Sequence, residues 1–216
     1  MRTTATITEI EELAPGIRQI TISFTETPFH FRSGQWVNFH FPDGVSRAYT
    51  IASAPQRPEA VQLCVRVGVG RGSQSVQRLE AGGTVRVDGP YGDFVAPSDD
   101  GRPLVFLAGD TGIAPVRSIV LDLIATNDER AVTVLYEPDH RYILYAADFD
   151  PLARAGRIVH ESGPIDTLIE RNRKALNGSF VMAVGFDSFL DRTRGALEAL
   201  GIDWREMIME SFGPQP

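Results

Sequence analysis

Three stretches of the chain combine residue types that can hold phosphates and a flat ring. Gly109-Asp110-Thr111-Gly112-Ile113-Ala114-Pro115 follows the apolar run Leu104-Val105-Phe106-Leu107-Ala108 and opens a stretch of helical period. A glycine turn lets backbone come close to a ligand, and a helix N-terminus offers free N–H groups to a pyrophosphate. Proline suits the first helical turn, where its missing N–H has no partner to lose. The spacing is not G-x-G-x-x-G, so alone the loop reads equally well as a plain strand-to-helix turn. Arg47-Ala48-Tyr49-Thr50-Ile51 ends a strand-like run. It sets a fork for phosphate oxygens beside a flat aromatic face and a hydroxyl suited to a ring nitrogen. Gly70-Arg71-Gly72-Ser73-Gln74-Ser75 precedes a short helical piece and is a second backbone site for phosphate. Taken singly, Tyr49 reads as a packed strand residue, Arg47 as a solvated charge and the Gly70–Ser75 stretch as an ordinary glycine loop.

Other reactive residue types form no constellation. His30, His40, His140 and His160 lack metal-ligand spacing, so no metal site is expected. Cys64, the single cysteine, sits between Leu63 and Val65 and reads as a buried, inert thiol. One cysteine excludes an internal disulfide and a four-cysteine iron–sulfur cluster. Trp36 and Trp204 read as packing residues. The 21 basic residues are outnumbered by 28 acidic ones, for a formal charge of −7, so binding to a nucleic-acid backbone has no electrostatic footprint. All basic residues but Lys174 are arginine. The start of the chain lacks the apolar core of a signal peptide, and runs such as Phe180-Val181-Met182-Ala183-Val184 fall far short of the ~18 apolar residues that span a bilayer. The expectation is a soluble, cytoplasmic protein that contacts neither membrane nor nucleic acid.

The elements that must position these residues fall into two halves. Thr4 to Ile10, Ile17 to Ser23, Gln35 to Phe41, Ser46 to Ile51, Val61 to Val67 and Thr84 to Val87 are rich in β-branched and aromatic residues, several alternating at period two. Pro15-Gly16, Ser33-Gly34, Pro42-Asp43-Gly44 and Gly82-Gly83 punctuate them. Six short strands so spaced predict a small antiparallel β-barrel. From Pro103 short apolar strands alternate with helical stretches: strands 104–108, 132–136, 157–160, 180–184 and 207–210, with helices over 115–127, 165–175 and 187–200. That alternation predicts a parallel sheet flanked by helices. The fold class is thus two-domain, an N-terminal antiparallel six-stranded β-barrel followed by a C-terminal α/β parallel-sheet domain. The boundaries read 1–97 for the first domain, 98–102 for a linker and 103–216 for the second. The halves carry about −2 and −5, so neither is basic as a whole.

The order of these motifs is more specific than any one of them. Phe31-x-x-Gly34-Gln35-Trp36-Val37, Arg47-x-Tyr49-Thr50, Gly72-Ser73-x-Ser75, Gly89-Pro90-Tyr91-Gly92-Asp93-Phe94 and Gly109-x-Thr111-Gly112-Ile113-Ala114-Pro115 follow one another in the chain. In that order they resemble the ferredoxin–NADP⁺ reductase superfamily, from about residue 4 to Phe212. The resemblance implies a flavin in the barrel, FAD rather than FMN, and NADH or NADPH in the α/β half. Arg47, with Ala48 and Arg66 beside the site, would bind flavin phosphate. Tyr49 would lie along the isoalloxazine ring and Thr50 near its N5 edge. Gly72, Ser73, Gln74 and Ser75 would receive the FAD pyrophosphate. Gly109, Thr111, Gly112 and Pro115 would face the nucleotide pyrophosphate, with Gly185, after the penultimate strand, also at the nucleotide. Phe212, in Glu210-Ser211-Phe212, would return to the ring. Hydride would pass from nicotinamide C4 to flavin N5, with Tyr49, Thr50 and Phe212 aligning the reactants, and then onward as electrons.

Two departures bear on function. Val184-Gly185-Phe186-Asp187 stands where the family has Cys-Gly-Pro, so the thiol is absent and phenylalanine replaces proline. The resemblance implies a serine–arginine pair after the third strand for a 2′-phosphate, where His160-Glu161-Ser162 stands instead; Glu137, just past the second strand of the α/β half, can accept a ribose hydroxyl, although Arg141 is nearby, and this leans the reading to NADH. The first functional expectation is an NAD(P)H-dependent flavoprotein reductase serving a separate acceptor: ferredoxin, flavodoxin, a haem protein, an oxygenase component or a small molecule. Arg57, Arg66, Arg71 and Arg78 would give an acidic redox protein a local basic face. The alternatives are a free-flavin reductase and a non-catalytic flavin- or nucleotide-binding subunit.

Overall fold

The computed structural model describes residues 2–25, 27–68, 71–139 and 142–215. Gly70, the side chain of Arg71, His140 and Arg141, singled out above, lie outside the described residues. The chain divides into two units: the residues up to Ala96 together with Arg117–Asn127, and Pro97–Val116 together with Asp128–Gln215.

In the first unit, β1 (Arg2–Ala14), β2 (Ile17–Ser23), β3 (Trp36–His40), β4 (Ser46–Thr50), β5 (Ala60–Arg66) and β6 (Thr84–Tyr91) form an antiparallel sheet in the order β4-β3-β6-β1-β2-β5. Period-two alternation buries one face: Ile20, Ile22, Val37, Phe39, Val61 and Leu63 are fully enclosed. The edge strands meet through an Ile51–Leu63 bridge and through the Ala52 amide, which donates to the Gln62 carbonyl at 2.7 Å. That closure covers edges that would otherwise be open to pairing. β1 serves two partners, β6 through Arg2–Thr6 and β2 through its remainder, and register shifts after Ile7 and Glu12 bend it between them. On the outer face the His40 ring bridges Ser46 Oγ at 2.6 Å and Asp88 Oδ2 at 2.7 Å, tying β3 to β4 and β6. Arg2 grips Asp88 at 2.8 Å and 3.0 Å and holds its carboxyl well below the usual range, with His40 adding to the effect. A short helix, α1 (Arg71–Gln77), follows β5.

In the second unit, β7 (Leu104–Gly109), β8 (Val132–Glu137), β9 (Val159–Ser162), β10 (Phe180–Gly185) and β11 (Ile208–Ser211) form a parallel sheet in the order β11-β10-β7-β8-β9. Every residue of β7 is buried, as its unbroken apolar run predicts. The chain runs outward from β7 to β8 and β9, then returns to β10 and β11 on the other side. The reversal of strand order therefore falls between β7 and β10, where open α/β sheets bind ligands beyond their strand ends. Helix α2 (Ile113–Ala125) starts in this unit and from Arg117 onward belongs to the first, and the later helices are α3 (Ala146–Arg154), α4 (Ile165–Arg171), α5 (Arg173–Leu176) and α6 (Asp187–Ala199). Leu107, Leu135, Ile169, Ala183, Leu190 and Leu197 share one apolar cluster. Among the described residues no helix is long and apolar enough to cross a membrane.

All eleven expected strands form, and the helices differ in three ways. α2 begins two residues earlier than the sequence suggested, because Asp110–Gly112 closes as a tight 3₁₀ turn feeding it directly. The helix expected over 165–175 breaks at Asn172, whose side chain donates to the Leu168 carbonyl at 3.0 Å. Helix α3 was not expected at all. Pro151 lies inside it and Tyr145 precedes it at φ 58°, so the segment reads locally as loop, yet Phe149 is almost fully buried.

The Phe149 ring lies tilted against His160 with centroids 4.9 Å apart, and burial pushes the His160 imidazole below its ordinary pKa, with Asp150 acting in the opposite sense. The folded chain thus favours the neutral ring, while the unfolded chain takes up a proton near pH 6.5. His160 therefore costs no stability above about pH 6.5 and costs progressively more as pH falls from there toward its lower folded value. Thermal melts between pH 5 and 8 should show this loss in the wild type and a smaller one in His160→Phe. Equal slopes in the two proteins would remove His160 as its source.

Candidate functional site

In the first unit the candidate residues cluster around β4 and α1. Ser46–Thr50 is an edge strand whose middle residues, Arg47 and Ala48, are exposed, whereas Thr50 is buried. Tyr49 is half-buried and meets the Phe39 and Phe41 rings edge-on, at 6.0 Å and 6.3 Å between centroids. Burial pushes its phenol up to about 12, with the Arg47 charge opposing. Tyr49 is therefore a neutral, flat surface throughout the working pH range and no proton carrier.

Arg47 lies against Gly72. A methyl group on Gly72 would fall 2.9 Å from Arg47 Nε, so the close approach of guanidinium to α1 backbone depends on glycine. Ser73 Oγ accepts from the Gly68 amide at 2.9 Å, and the Ser75 hydroxyl donates to Asp43 Oδ2 at 2.6 Å. Ser75 holds the Asp43 carboxyl below its ordinary pKa. Gln74 is exposed, and half-buried Arg66 ends β5 opposite Ile17. The structure thus joins Arg47 to Gly72, and Ser75 to Asp43.

Three residues that sequence reasoning missed fix the segment after Thr50. Arg117 Nη1 donates to the Ala52 carbonyl and to Gln62 Oε1, both at 2.8 Å, and is buried. The Ser118 hydroxyl donates to the Ser53 carbonyl at 2.6 Å, and Asp122 accepts from Ser33 at 2.6 Å and Gln56 at 2.5 Å. Their signal was three polar side chains among the apolar residues of one helix, which is costly unless each finds a partner.

In the second unit Gly109, Thr111, Gly112 and Gly185 come together at the C-terminal ends of β7 and β10. Asp110 takes a left-handed φ of 52° to turn the chain, and Thr111 and Gly112 are buried. A Cβ on Gly112 would lie 2.4 Å from the Val184 carbonyl oxygen. One on Gly109 would lie 2.4–2.8 Å from the Phe189 ring, and one on Gly185 2.8 Å from the same ring. Phe189, from the first turn of α6, is thus the floor beneath both strand ends and was not singled out from sequence. Pro115 is the third residue of α2, where its missing N–H costs nothing. Helix α2 continues directly from this 3₁₀ turn, the Ile113 amide donating back to the Asp110 carbonyl.

The Phe212 amide donates to the Gly185 carbonyl at 2.9 Å, and its ring meets Phe186 edge-on at 6.0 Å and 86°. Asp187 accepts from the Ser211 hydroxyl, and its amide donates to the Gly213 carbonyl at 3.0 Å. The end of β11 is thereby fastened to the Val184–Asp187 turn. Glu137 ends β8 in register with Gly109. Its carboxylate is not bare: Oε2 accepts from the Ile165 amide at 2.7 Å and from Arg192 at 3.0 Å, and Oε1 accepts from Arg192 as well.

Residues 4–95 match the family model of the oxidoreductase FAD-binding domain. A ferredoxin–NADP reductase B of Sorangium cellulosum is 34% identical over 167 residues, which cover 73% of this chain and 67% of that protein. Reductase component 1 of a Comamonas terephthalate 1,2-dioxygenase is 29% identical over 210 residues, 86% of this chain and 60% of that protein. The chain thus spans about three-fifths of that relative's length. The crystal structure of an Amycolatopsis cytochrome P450 reductase superposes with a TM-score of 0.86 at 25% identity, over 99% of this chain and 70% of that one. An antiparallel barrel with Arg47-x-Tyr49-Thr50, followed by a parallel sheet with its glycine turn at the strand-order reversal, agrees with these likenesses: the chain belongs to the ferredoxin–NADP reductase family.

Proposed function

We propose that the chain is a flavin-dependent NAD(P)H oxidoreductase that delivers electrons to a separate acceptor. The observation that carries this reading is the glycine turn packed on Val184 and Phe189, placed in one chain with an FAD-binding domain. The residues fit the two cofactors. The Arg47 guanidinium lies where a side chain at Gly72 would stand, which sets a cationic fork for phosphate oxygens beside glycine backbone. Tyr49 offers the flat neutral face for the flavin ring, Thr50 a hydroxyl, and Gly72, Ser73, Gln74 and Ser75 line the diphosphate, with Arg66 adding charge.

In the second unit Gly109, Thr111, Gly112 and the first turn of α2 hold the nucleotide pyrophosphate. Gly185 and Phe212 border the same place. FAD, when bound, supplies N5 as the acceptor of a hydride from nicotinamide C4. The chain's own part is alignment and exclusion of water, for which no side-chain acid or base is required. Arg117 and Ser118 set the backbone that follows Thr50, and Phe189 sets the floor under the nucleotide turn.

Relatives named as reductase components of terephthalate dioxygenase and of phenol 2-monooxygenase support a separate redox protein as acceptor, and we place this activity in the cytoplasm, where NAD(P)H is supplied. The test is nucleotide oxidation by FAD-loaded protein with ferricyanide as acceptor, with and without added FMN. Turnover should proceed without free FMN and rise less than twofold when it is added. Turnover only in the presence of free FMN would instead mark a free-flavin reductase.

A further inference from the structure

The nucleotide reading leaves Arg192 unused, although it stands at the same end of the sheet. Glu137 ends β8 in register with Gly109, one strand-spacing of about 4.8 Å from the glycine turn. Arg192, from the second turn of α6, reaches across to grip its carboxylate with both terminal nitrogens. The Arg192 side chain is 53% exposed, whereas that of Glu137 is 18% exposed. The guanidinium therefore faces outward and the carboxylate lies beneath it, held also by the Ile165 amide at 2.7 Å. Asp166 is close enough to act on Arg192 as well. Two carboxylates against one guanidinium leave the cluster with a net negative charge.

We propose that Arg192 is a masked receptor for the 2′-phosphate of a nicotinamide nucleotide, and that Glu137, by holding it, makes this chain select the unphosphorylated form. The inference rests on the nucleotide-binding reading above. A ribose hydroxyl donates to a carboxylate and meets no penalty beside Glu137. A phosphomonoester brings about −1.5 to −2 charges to a cluster that is already negative. Arginine's planar fork fits phosphate oxygens two at a time, but here both its terminal nitrogens are committed to Glu137. Removing the carboxylate charge both lowers the repulsion and frees the fork. Glu137→Gln does this while keeping an oxygen for the Ile165 N–H.

Calorimetric titration of the full chain with NAD⁺ and with NADP⁺ reads the effect without any turnover. The wild type should bind NAD⁺ at least tenfold more tightly than NADP⁺. Glu137→Gln should shift that ratio toward NADP⁺ by tenfold or more, and the double variant with Arg192→Gln should lose the gain. Arg192→Glu, in an otherwise unaltered chain, approaches from the other side and should widen the preference for NAD⁺ by a further tenfold, which keeps the test decisive if Glu137→Gln folds poorly. A ratio within twofold of wild type in these single variants, or a gain that survives in the double variant, overturns the assignment. If NAD⁺ binds and only the ratio is fixed, this inference fails alone. If neither nucleotide binds the wild type, the functional reading fails, and this inference with it.

Discussion

Gly112→Ala should lower NAD(P)H-driven flavin reduction by about 10² while leaving the FAD content of the protein unchanged. The added methyl would sit 2.4 Å from the Val184 carbonyl oxygen, 2.9 Å from its carbon and 3.3 Å from Gly185 Cα. All three neighbours are backbone of a buried strand paired to β7, so none can swing aside as a side chain would. The turn itself must move by about an ångström, and a displacement of that size at a reacting pair costs on the order of a hundredfold. The barrel residues proposed to hold flavin, Arg47, Tyr49 and Gly72, belong to the other unit and should be untouched. Rapid anaerobic mixing, paired with flavin quantitation by absorbance, separates the two effects. Full-rate reduction by Gly112→Ala would show that the turn is not where the nucleotide binds.

Phe189→Ala should destabilise the second unit by roughly 3–5 kcal/mol, the usual cost of truncating a buried aromatic ring. The ring is 4% exposed and lies within van der Waals reach of both glycine strand ends. Its loss leaves a cavity where the fold has spent two glycines to admit a ring. Trp204 belongs to this unit and Trp36 to the barrel, so denaturation followed by fluorescence in single-tryptophan backgrounds assigns the loss. The Trp204 transition should move to lower denaturant while that of Trp36 stays near its wild-type midpoint. A loss below 1 kcal/mol would mean that the ring carries no weight as a floor.

The parts of this structure that were legible in the sequence are those that local chemistry dictates. Period-two runs such as Trp36–Phe41 had to be strands with one buried face, and the uninterrupted Leu104–Ala108 run had to be a strand covered on both sides. The turn at Gly109–Pro115 was legible because close backbone approach leaves glycine as the residue that fits. What was not legible depends on partners far along the chain. Phe189 reads as one more apolar helix residue until Gly109, eighty positions earlier, is seen to lie on it. Arg117 and Ser118 owe their place to the carbonyls of Ala52 and Ser53. Glu137 read correctly as a strand-end acid, but its grip on Arg192, fifty-five residues away, had no local sign. Helix α3 was hidden by an internal proline, and tertiary burial of Phe149 overrides the local preference for loop.

The most direct test of the central claim is the visible spectrum of the FAD-loaded protein during anaerobic addition of NADH and then, in a separate sample, NADPH. The flavin band should bleach within seconds on NADH and more slowly on NADPH, as the role proposed for Glu137 requires. A protein that takes up FAD but stays oxidised with both nucleotides would contradict the assignment as a reductase and leave a flavin-binding subunit. A protein that takes up no FAD would contradict the roles given to Arg47, Tyr49 and Gly72.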